Sequence, residues 1–281
     1  MENIDIKKVK KAFTHGGIFH ADDVFSTALL RILNPDIVIE RGNVVPDNYD
    51  GLVFDIGRGR FDHHQADKRY RENGIAYAAF GLLWNEFGTL ILTKEEADEF
   101  DAKFIQDIDL NDNTGKSNPI SACIADFLPV WDDKETDITE RFYEAADMAE
   151  RILRQRFEHI AAKRRASTLV KKMLEKCDGK VLVMDEVMPW KDTLKKTDIY
   201  YVIFESDRGG YIIQAVPTEL ADNDEKLPFP ESWRGLPADE LKAHTGIETL
   251  TFCHTSGFLC VAGTLEDAEK TAYLSLKEQG M

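Results

Sequence analysis

Val9-Lys10-Lys11-Ala12-Phe13-Thr14-His15-Gly16-Gly17-Ile18-Phe19-His20-Ala21-Asp22-Asp23-Val24-Phe25 is the stretch on which the fold reading turns. Val9 to Thr14 has the alternation of a short strand. Gly16-Gly17 lets the chain turn sharply and lets a ligand approach the backbone. Asp22 to Leu33 then reads as a helix with Phe25, Leu29 and Leu33 on one face. Working outward, Asp36 to Glu40 and Leu52 to Ile56 are further short apolar strands, and Ala76 to Phe87 and Glu95 to Asp109 are helical. Strands alternating with helices imply an α/β fold whose mostly parallel sheet is covered on both faces. In such sheets the active residues gather just beyond the carboxyl ends of the strands, where His15 and Asp55 fall.

Asn111 to Pro119 is rich in turn formers and breaks the pattern. Thr136 to Cys177 is long, charged and helical, with an apolar stripe through Phe142, Ala149, Leu153 and Phe157 and a basic face that reads as solvated surface. A second α/β region follows. Its strands are expected at Val181 to Met184, Tyr200 to Phe204, Tyr211 to Val216 and Leu250 to Cys253, and its helices at Ala238 to His244 and Leu265 to Leu276. Asp207-Arg208-Gly209-Gly210 signals a hairpin. The expected organisation is a first α/β domain over 1–130, a helical connector over 131–178 and a smaller C-terminal α/β domain over 179–281.

With 43 % hydrophobic residues among 281, the chain can bury a substantial core. The polar, acidic start does not look like a signal peptide, no apolar run approaches the ~20 residues of a membrane span, and the four cysteines form no CxxC pair. These features predict a cytoplasmic protein with no membrane partner. A net charge of −16 argues against a broadly basic nucleic-acid groove. It leaves phosphate chemistry open, because bound divalent ions reverse the local sign.

Four of the seven histidines lie in the first 64 residues, each beside a carboxylate or another imidazole. His15 and His20 share the loop after the first strand, and Asp22 and Asp23 open the next helix. An N-cap accounts for one of those acids. Asp55 ends an apolar strand, where a carboxylate is costly unless a cation or metal meets it. Asp62-His63-His64 follows, and in extended backbone the adjacent histidines point to opposite sides. Asp107, Asp109 and Asp112 offer a further acid. Histidine mixed with carboxylate suits manganese, zinc, iron or cobalt better than calcium, and two such ions would fit the logic of phosphoester hydrolysis; magnesium is a further candidate ion.

Thr14-His15-Gly16-Gly17-Ile18-Phe19-His20-Ala21-Asp22-Asp23, Phe54-Asp55-Ile56-Gly57 and Phe61-Asp62-His63-His64-Gln65 resemble motifs of the MYG family, which belongs with the DHH phosphoesterases. Pro189-Trp190-Lys191, Val216-Pro217, Pro230 to Leu236 and His254-Thr255-Ser256-Gly257-Phe258 are also similar to MYG segments, so the likeness spans nearly the whole chain. The resemblance implies a DHH-like parallel-sheet domain and a metal-dependent phosphodiesterase, a 3′-to-5′ exonuclease on single-stranded RNA or short oligonucleotides. It implies two manganese ions: His15 and His20 on one, Asp22, His63 and Asp109 on the other, and Asp55 bridging. His64 would meet the scissile phosphate or protonate the leaving group, and Asp62 would orient a neighbouring histidine. Arg234, His254, Ser256 and Gly257 would hold substrate phosphate from a second lobe that closes over the substrate. The first motif departs from the superfamily pattern, with four residues between His15 and His20 and a histidine where an aspartate is usual.

The alternatives are a small-molecule phosphohydrolase, favoured by the acidic surface, and a non-catalytic metal-containing binder, favoured by the altered motif. A homo-oligomer is left open. Trp84, Trp131, Trp190 and Trp233 are candidates for base stacking, of which Trp84 reads as helix core and the loop residues Trp190 and Trp233 fit the role better.

Overall fold

The computed structural model describes residues 4–177 and 179–281. They divide into two compact units, one ending at Ile160 and the other beginning at Ala161. The long helix Ile138–Leu174 contributes residues to both. No helix among the described residues is long and apolar enough to cross a membrane.

The first unit is built on three parallel strands, β1 (Lys11–His15), β2 (Val38–Gly42) and β3 (Leu52–Val53), in the order β2-β1-β3. Helix α1 (Ala21–Leu33) follows β1. Because β1 is central and its neighbours lie on opposite sides, the chain reverses its direction of sheet-building at the end of β1, which is where parallel sheets open a crevice. His15 is the last residue of β1. Past Val53 the chain stays paired for one more step, with Phe54 N donating to Phe13 O at 3.0 Å, before turning at Asp55.

Helix α1 departs from the expected one-sided stripe. Every residue from Ala21 to Leu30 is buried, including Asp22, Asp23, Ser26 and Thr27, while Leu33 is only half-buried. A helix apolar nearly all round is one that sits inside its domain. It packs on α2 (Ala79–Phe87), on α4 (Gln106–Thr114) and on α5 (Pro119–Ala125). The ring of Phe25 lies 5.5 Å from those of both Phe80 and Phe104. Trp84 is core, as its helical spacing predicts: its Nε1 donates to Ala97 O at 3.0 Å and its ring stacks on Phe157.

The expected helix over Glu95 to Asp109 is longer and is wound unevenly. Helix α3 (Lys94–Phe100) passes through a π-helical stretch (Asp101–Ile105) straight into α4. At about 100° per residue, Asp101 and Asp109 would sit about 80° apart round an unbroken α-helix. The wider π turn closes that angle, and Arg71 grips both: Nε and Nη2 to Asp101 at 2.8 and 2.6 Å, Nη2 to Asp109 Oδ2 at 2.7 Å. Asp109 Oδ1 accepts from Gly81 N at 3.1 Å. There is no room for a side chain at Gly81, where a Cβ would come within 1.9 Å of Asp109 Oδ2. The long helix Ile138–Leu174 is α6.

The second unit carries five strands, β4 (Val181–Val183), β5 (Tyr201–Glu205), β6 (Tyr211–Ala215), β7 (Leu250–Cys253) and β8 (Leu259–Ala262), in the order β4-β5-β6-β8-β7. Only β4 and β5 are parallel. The hairpin signal at Asp207 to Gly210 is a turn between β5 and β6, closed by Ser206 N donating to Gly210 O at 2.9 Å. The strand β8 was not expected. Both faces are covered: Tyr201, Ile203 and Ile213 pack in one buried cluster, Val202 and Phe204 in another. Helix α7 (Lys191–Leu194), α8 (Ala238–Thr245) and α9 (Leu265–Glu278) complete the unit. Trp190 and Trp233 belong to these two clusters and are buried, which removes them as stacking platforms; Trp131 is exposed.

The Arg71 grip is inside the first unit, so removing the cation strands a buried carboxylate. Arg71→Met is expected to cost about 3–5 kcal/mol in urea denaturation; a loss below about 1 kcal/mol contradicts a structural role for the pair.

Candidate metal centre

Burying a carboxylate is unfavourable without compensation, and the first unit buries three together. Asp22 and Asp23 lie in the first turn of α1, where the helix dipole favours negative charge. Asp55 follows β3 in a left-handed backbone conformation, φ 55°, a strained state for a residue with a side chain. That turn carries its carboxylate to the end of the neighbouring strand: His15 Nε2 is 3.2 Å from Asp55 Oδ2 and 3.2 Å from Asp23 Oδ2. Neither acid is the N-cap expected from the sequence: His20 takes that position, and Asp23, three residues on, closes a capping box with its Oδ1 accepting from His20 N at 2.8 Å.

On the other oxygen of Asp55 lies His63, whose Nε2 is 3.0 Å from Asp55 Oδ1, 3.2 Å from Asp112 Oδ2 and 3.7 Å from Asp22 Oδ2. Asp55 is therefore shared between two groups of donors. Among the described residues, three sets of ligand atoms come within a single ion's reach: His15, Asp23 and Asp55; His20, Asp22 and Asp112; and Asp55, His63 and His64. They open on a cavity of about 850 Å³ lined by His15, His20, Asp55, Asp62, His63, His64 and Asp112.

The residues present fit divalent ions. Both oxygens of Asp22, Asp23 Oδ2, Asp55 Oδ1 and His63 Nε2 are buried and unaligned for any hydrogen bond among the described residues. A close-packed interior rarely leaves five such atoms facing one another. A mixed imidazole and carboxylate set is the donor chemistry of manganese, zinc, iron or cobalt.

Electrostatics tell the same story. Burial and the charges of Asp55, Asp112 and Asp23 raise the Asp22 carboxyl well above the ordinary range. Burial opposes charge on His15, yet Asp23 and Asp55 raise its imidazole to about 10. His63 is likewise raised by Asp55 and Asp112 against the effect of burial. Asp55, flanked by both imidazoles, is held below the usual carboxylate range although burial pushes it up. Without a metal, protons take the place of cations.

Of the residues expected from the sequence, His15, His20, Asp22, Asp55 and His63 come together here. Asp109 does not, and that expectation is corrected: its oxygens are taken by Arg71 and Gly81 N, and Asp112, one turn further along α4, faces His63 instead. Asp62 ties the loop. Its Oδ2 accepts from Arg58 N at 2.6 Å, and its Oδ1 accepts from His64 N at 3.0 Å and lies 2.8 Å from His64 Nδ1. His64 is left exposed at the cavity.

Three residues escape sequence reasoning. Asp23 keeps one oxygen for His15 after closing the capping box. Arg41, at the end of β2, has a buried guanidinium 3.9 Å from Asp23 and 4.0 Å from the Phe142 ring centre. Asn113 Nδ2 donates to Asp109 O at 3.0 Å and to Tyr77 O at 3.3 Å, which turns Oδ1 toward His63 Nδ1 at 3.4 Å. That contact favours the tautomer whose Nε2 lone pair faces the carboxylates.

The candidates Arg234, His254, Ser256 and Gly257 gather in the second unit, around the turn joining β7 and β8. His254 Nδ1 is 2.9 Å from Ser256 Oγ, and Gly257 N donates to His254 O at 2.8 Å. Arg234 Nε donates to Phe229 O at 2.8 Å and lies where a Cβ on Gly257 would strike it, at 2.5 Å.

Two measurements test this centre. Calorimetric titration with manganese should show Asp112→Asn and Asn113→Ala weakening binding by about 10–100-fold while Asp109→Asn changes it less than about twofold; equal effects of Asp109→Asn and Asp112→Asn refute the assignment. The second is a pH series. The raised His15 value means its stabilisation of metal-free protein is complete below pH 6.5 and lost as pH rises through about 10. Metal needs the unprotonated ring, so the stability gained from manganese should grow over the same window. A gain independent of pH removes His15 from the ligand set.

No solved structure matches the chain. Among curated proteins it is 30% identical to the MYG1 protein C694.04c of Schizosaccharomyces pombe, over 95% of this chain and 97% of that one. It is 28% identical to the MYG1 protein of Chlamydia muridarum, over 95% and 97%. It is 27% identical to a human protein named MYG1 exonuclease, over 95% and 85%. The family model MYG1_exonuc, described as "Uncharacterised protein family (UPF0160)", matches residues 11–276, so the chain belongs to the MYG1 family.

Proposed function

We propose that the protein is a metal-dependent phosphodiesterase acting as a 3′-to-5′ exonuclease on single-stranded RNA or short oligonucleotides. The observation that carries the hydrolytic reading is the shared carboxylate: Asp55 lies between His15 and His63, with the buried Asp23 beside the first and the half-buried Asp112 beside the second. Relatives named exonuclease support a nucleic-acid substrate, and the family resemblance supplies the RNA preference and the direction.

His15, Asp23 and Asp55 would hold one ion, and Asp55, Asp22, His63 and Asp112 the other, with His20 beside Asp22 and Asp112. Bound there, the ions, with manganese as the first choice, supply charge neutralisation at phosphorus and a water of lowered pKa. The chain's own residues do the rest. Hydrogen bonds from His64 and Arg58 N hold the Asp62 carboxyl below its ordinary range despite partial burial. Ionised, it accepts the His64 Nδ1 proton and fixes the ring. With both ring nitrogens protonated, His64 would give its Nε2 proton to the leaving oxygen and keep its Nδ1 proton on Asp62. Asp62 acts through His64 as a positioning residue. Arg234, with His254, Ser256 and Gly257 beside it, offers a separate phosphate station.

A phosphohydrolase of small molecules is the second reading, favoured by the charge of −16, which repels a long polyanion away from the ions. The test is a substrate panel with manganese. A ladder of shortened RNA supports the exonuclease, orthophosphate release from pyrophosphate alone supports the second reading, and chelation abolishes either. Asp55→Asn and His63→Ala should each lower kcat by more than about 100-fold while the melting curve still shows a folded protein; near-normal turnover in either defeats the proposal.

A further inference from the structure

The cavity wall carries two cations that neither the ligand sets nor the His64–Asp62 pair employs. Arg58 and Lys68 are its lysine and arginine residues among the described residues that line it. Both are exposed. Arg58 has no ion-pair partner among the described residues, and Lys68 donates to a neutral acceptor, Asn113 Oδ1, at 2.9 Å. Other exposed lysines do sit on carboxylates, as Lys94 on Asp98 and Lys270 on Glu266.

Both cations are tethered to the metal centre. Arg58 lies three residues after Asp55, in left-handed backbone at φ 56°, with its N–H held by Asp62 Oδ2. Lys68 shares Asn113 Oδ1 with His63 Nδ1. A guanidinium offers a planar fork that matches phosphate oxygens, and an ammonium offers a compact charge. A cavity of about 850 Å³ has the size of a site for a whole small ligand rather than one phosphate group.

We propose that Arg58 and Lys68 bind a second phosphate of the substrate, next to the one at the acid and imidazole cluster, so that the site selects anionic chains bearing at least two phosphates. The proposal rests on the phosphodiesterase reading. It assigns substrate selectivity to the first unit itself, independently of Arg234.

The test compares 5′-phosphorylated dinucleotide pApA with unphosphorylated ApA, in manganese. Arg58→Asn removes the charge while keeping a residue that tolerates left-handed backbone, and Lys68→Gln removes the other. Wild-type protein should prefer pApA by about tenfold or more in kcat/KM, chiefly through KM, and the double variant should lose most of that preference. For a short labelled RNA, the slope of log affinity against log salt should fall by about 1.4 in the double variant, from roughly 0.7 per cation. Arg58→Lys should restore part of both. An unchanged preference and slope in the double variant overturn the proposal while wild-type turnover leaves the phosphodiesterase reading standing. Failure of wild-type protein to cleave pApA, ApA or RNA overturns both.

Discussion

Three carboxylates, Asp22, Asp23 and Asp55, are buried together at one end of a three-stranded sheet, and the rest of the first unit is arranged around that charge. A single desolvated carboxylate is costly; three within contact of the same imidazoles cannot all ionise without cations. The protein supplies some of the compensation itself. The first turn of α1 presents its N-terminal dipole to Asp22 and Asp23, His15 spans Asp23 and Asp55, and His63 spans Asp55, Asp22 and Asp112. What remains uncompensated is greatest on Asp22, where both oxygens, against one each on Asp23 and Asp55, find no hydrogen-bond partner among the described residues.

Much of this was legible because parallel sheets put chemistry at predictable places. The strand ending at His15, the glycine turn and the helix opening on Asp22 and Asp23 are local features, and local patterns survive folding. So does the hairpin at Asp207 to Gly210, which needs only turn chemistry. The losses have physical causes. Leu259 to Ala262 is a four-residue strand without polar alternation, too short to stand out. The choice among Asp107, Asp109 and Asp112 depends on helical phase, and the π turn at Asp101–Ile105 shifts that phase where no sequence rule registers it. Asp109 satisfies the spacing but is spent on Arg71. Asn113 takes its role from Tyr77 O, 36 residues away in sequence. Trp190 and Trp233 sit in turn-rich sequence yet fill the second unit's core, because a large aromatic is the cheapest way to bury area in a small unit.

Asp55 holds a left-handed backbone, with φ 55°. It is one of three such non-glycine positions among the described residues, and Arg58, immediately after Gly57 with its φ of 85°, is another. Strain of this kind persists only when the surroundings over-determine it. Here the surroundings are visible: Asp55 N donates to Phe61 O at 3.0 Å, Arg58 N and His64 N both donate to Asp62, and Phe54 and Phe61 are buried on either side. The loop is thus a closed clasp whose two ends deliver Asp55 and His63 to the same point. A carboxylate held this way cannot relax toward solvent when a cation leaves, which is the preorganisation a metal site requires.

The order of the strands then explains which acid depends on an external cation. Each strand end contributes one charged group: His15 from β1, Arg41 from β2, and Asp55 just past β3. Arg41 stands beside Asp23, with its guanidinium buried on the face of Phe142, so Asp23 has a permanent positive neighbour in addition to His15. Asp55 has two imidazoles. Asp22 has His63 3.7 Å away and His20 within 4.8 Å, neither in hydrogen-bond contact, and faces Asp112 on its open side. Internal positive charge therefore falls off from Arg41 across the site to Asp22. Without metal, the cheapest way to hold this arrangement is a proton on Asp22 and protons on the imidazoles. An ion at these atoms would displace those protons, because the same carboxylates that raise the histidines also attract cations. Metal uptake would then be coupled to proton release, through acids placed where the fold's own cations do not reach them.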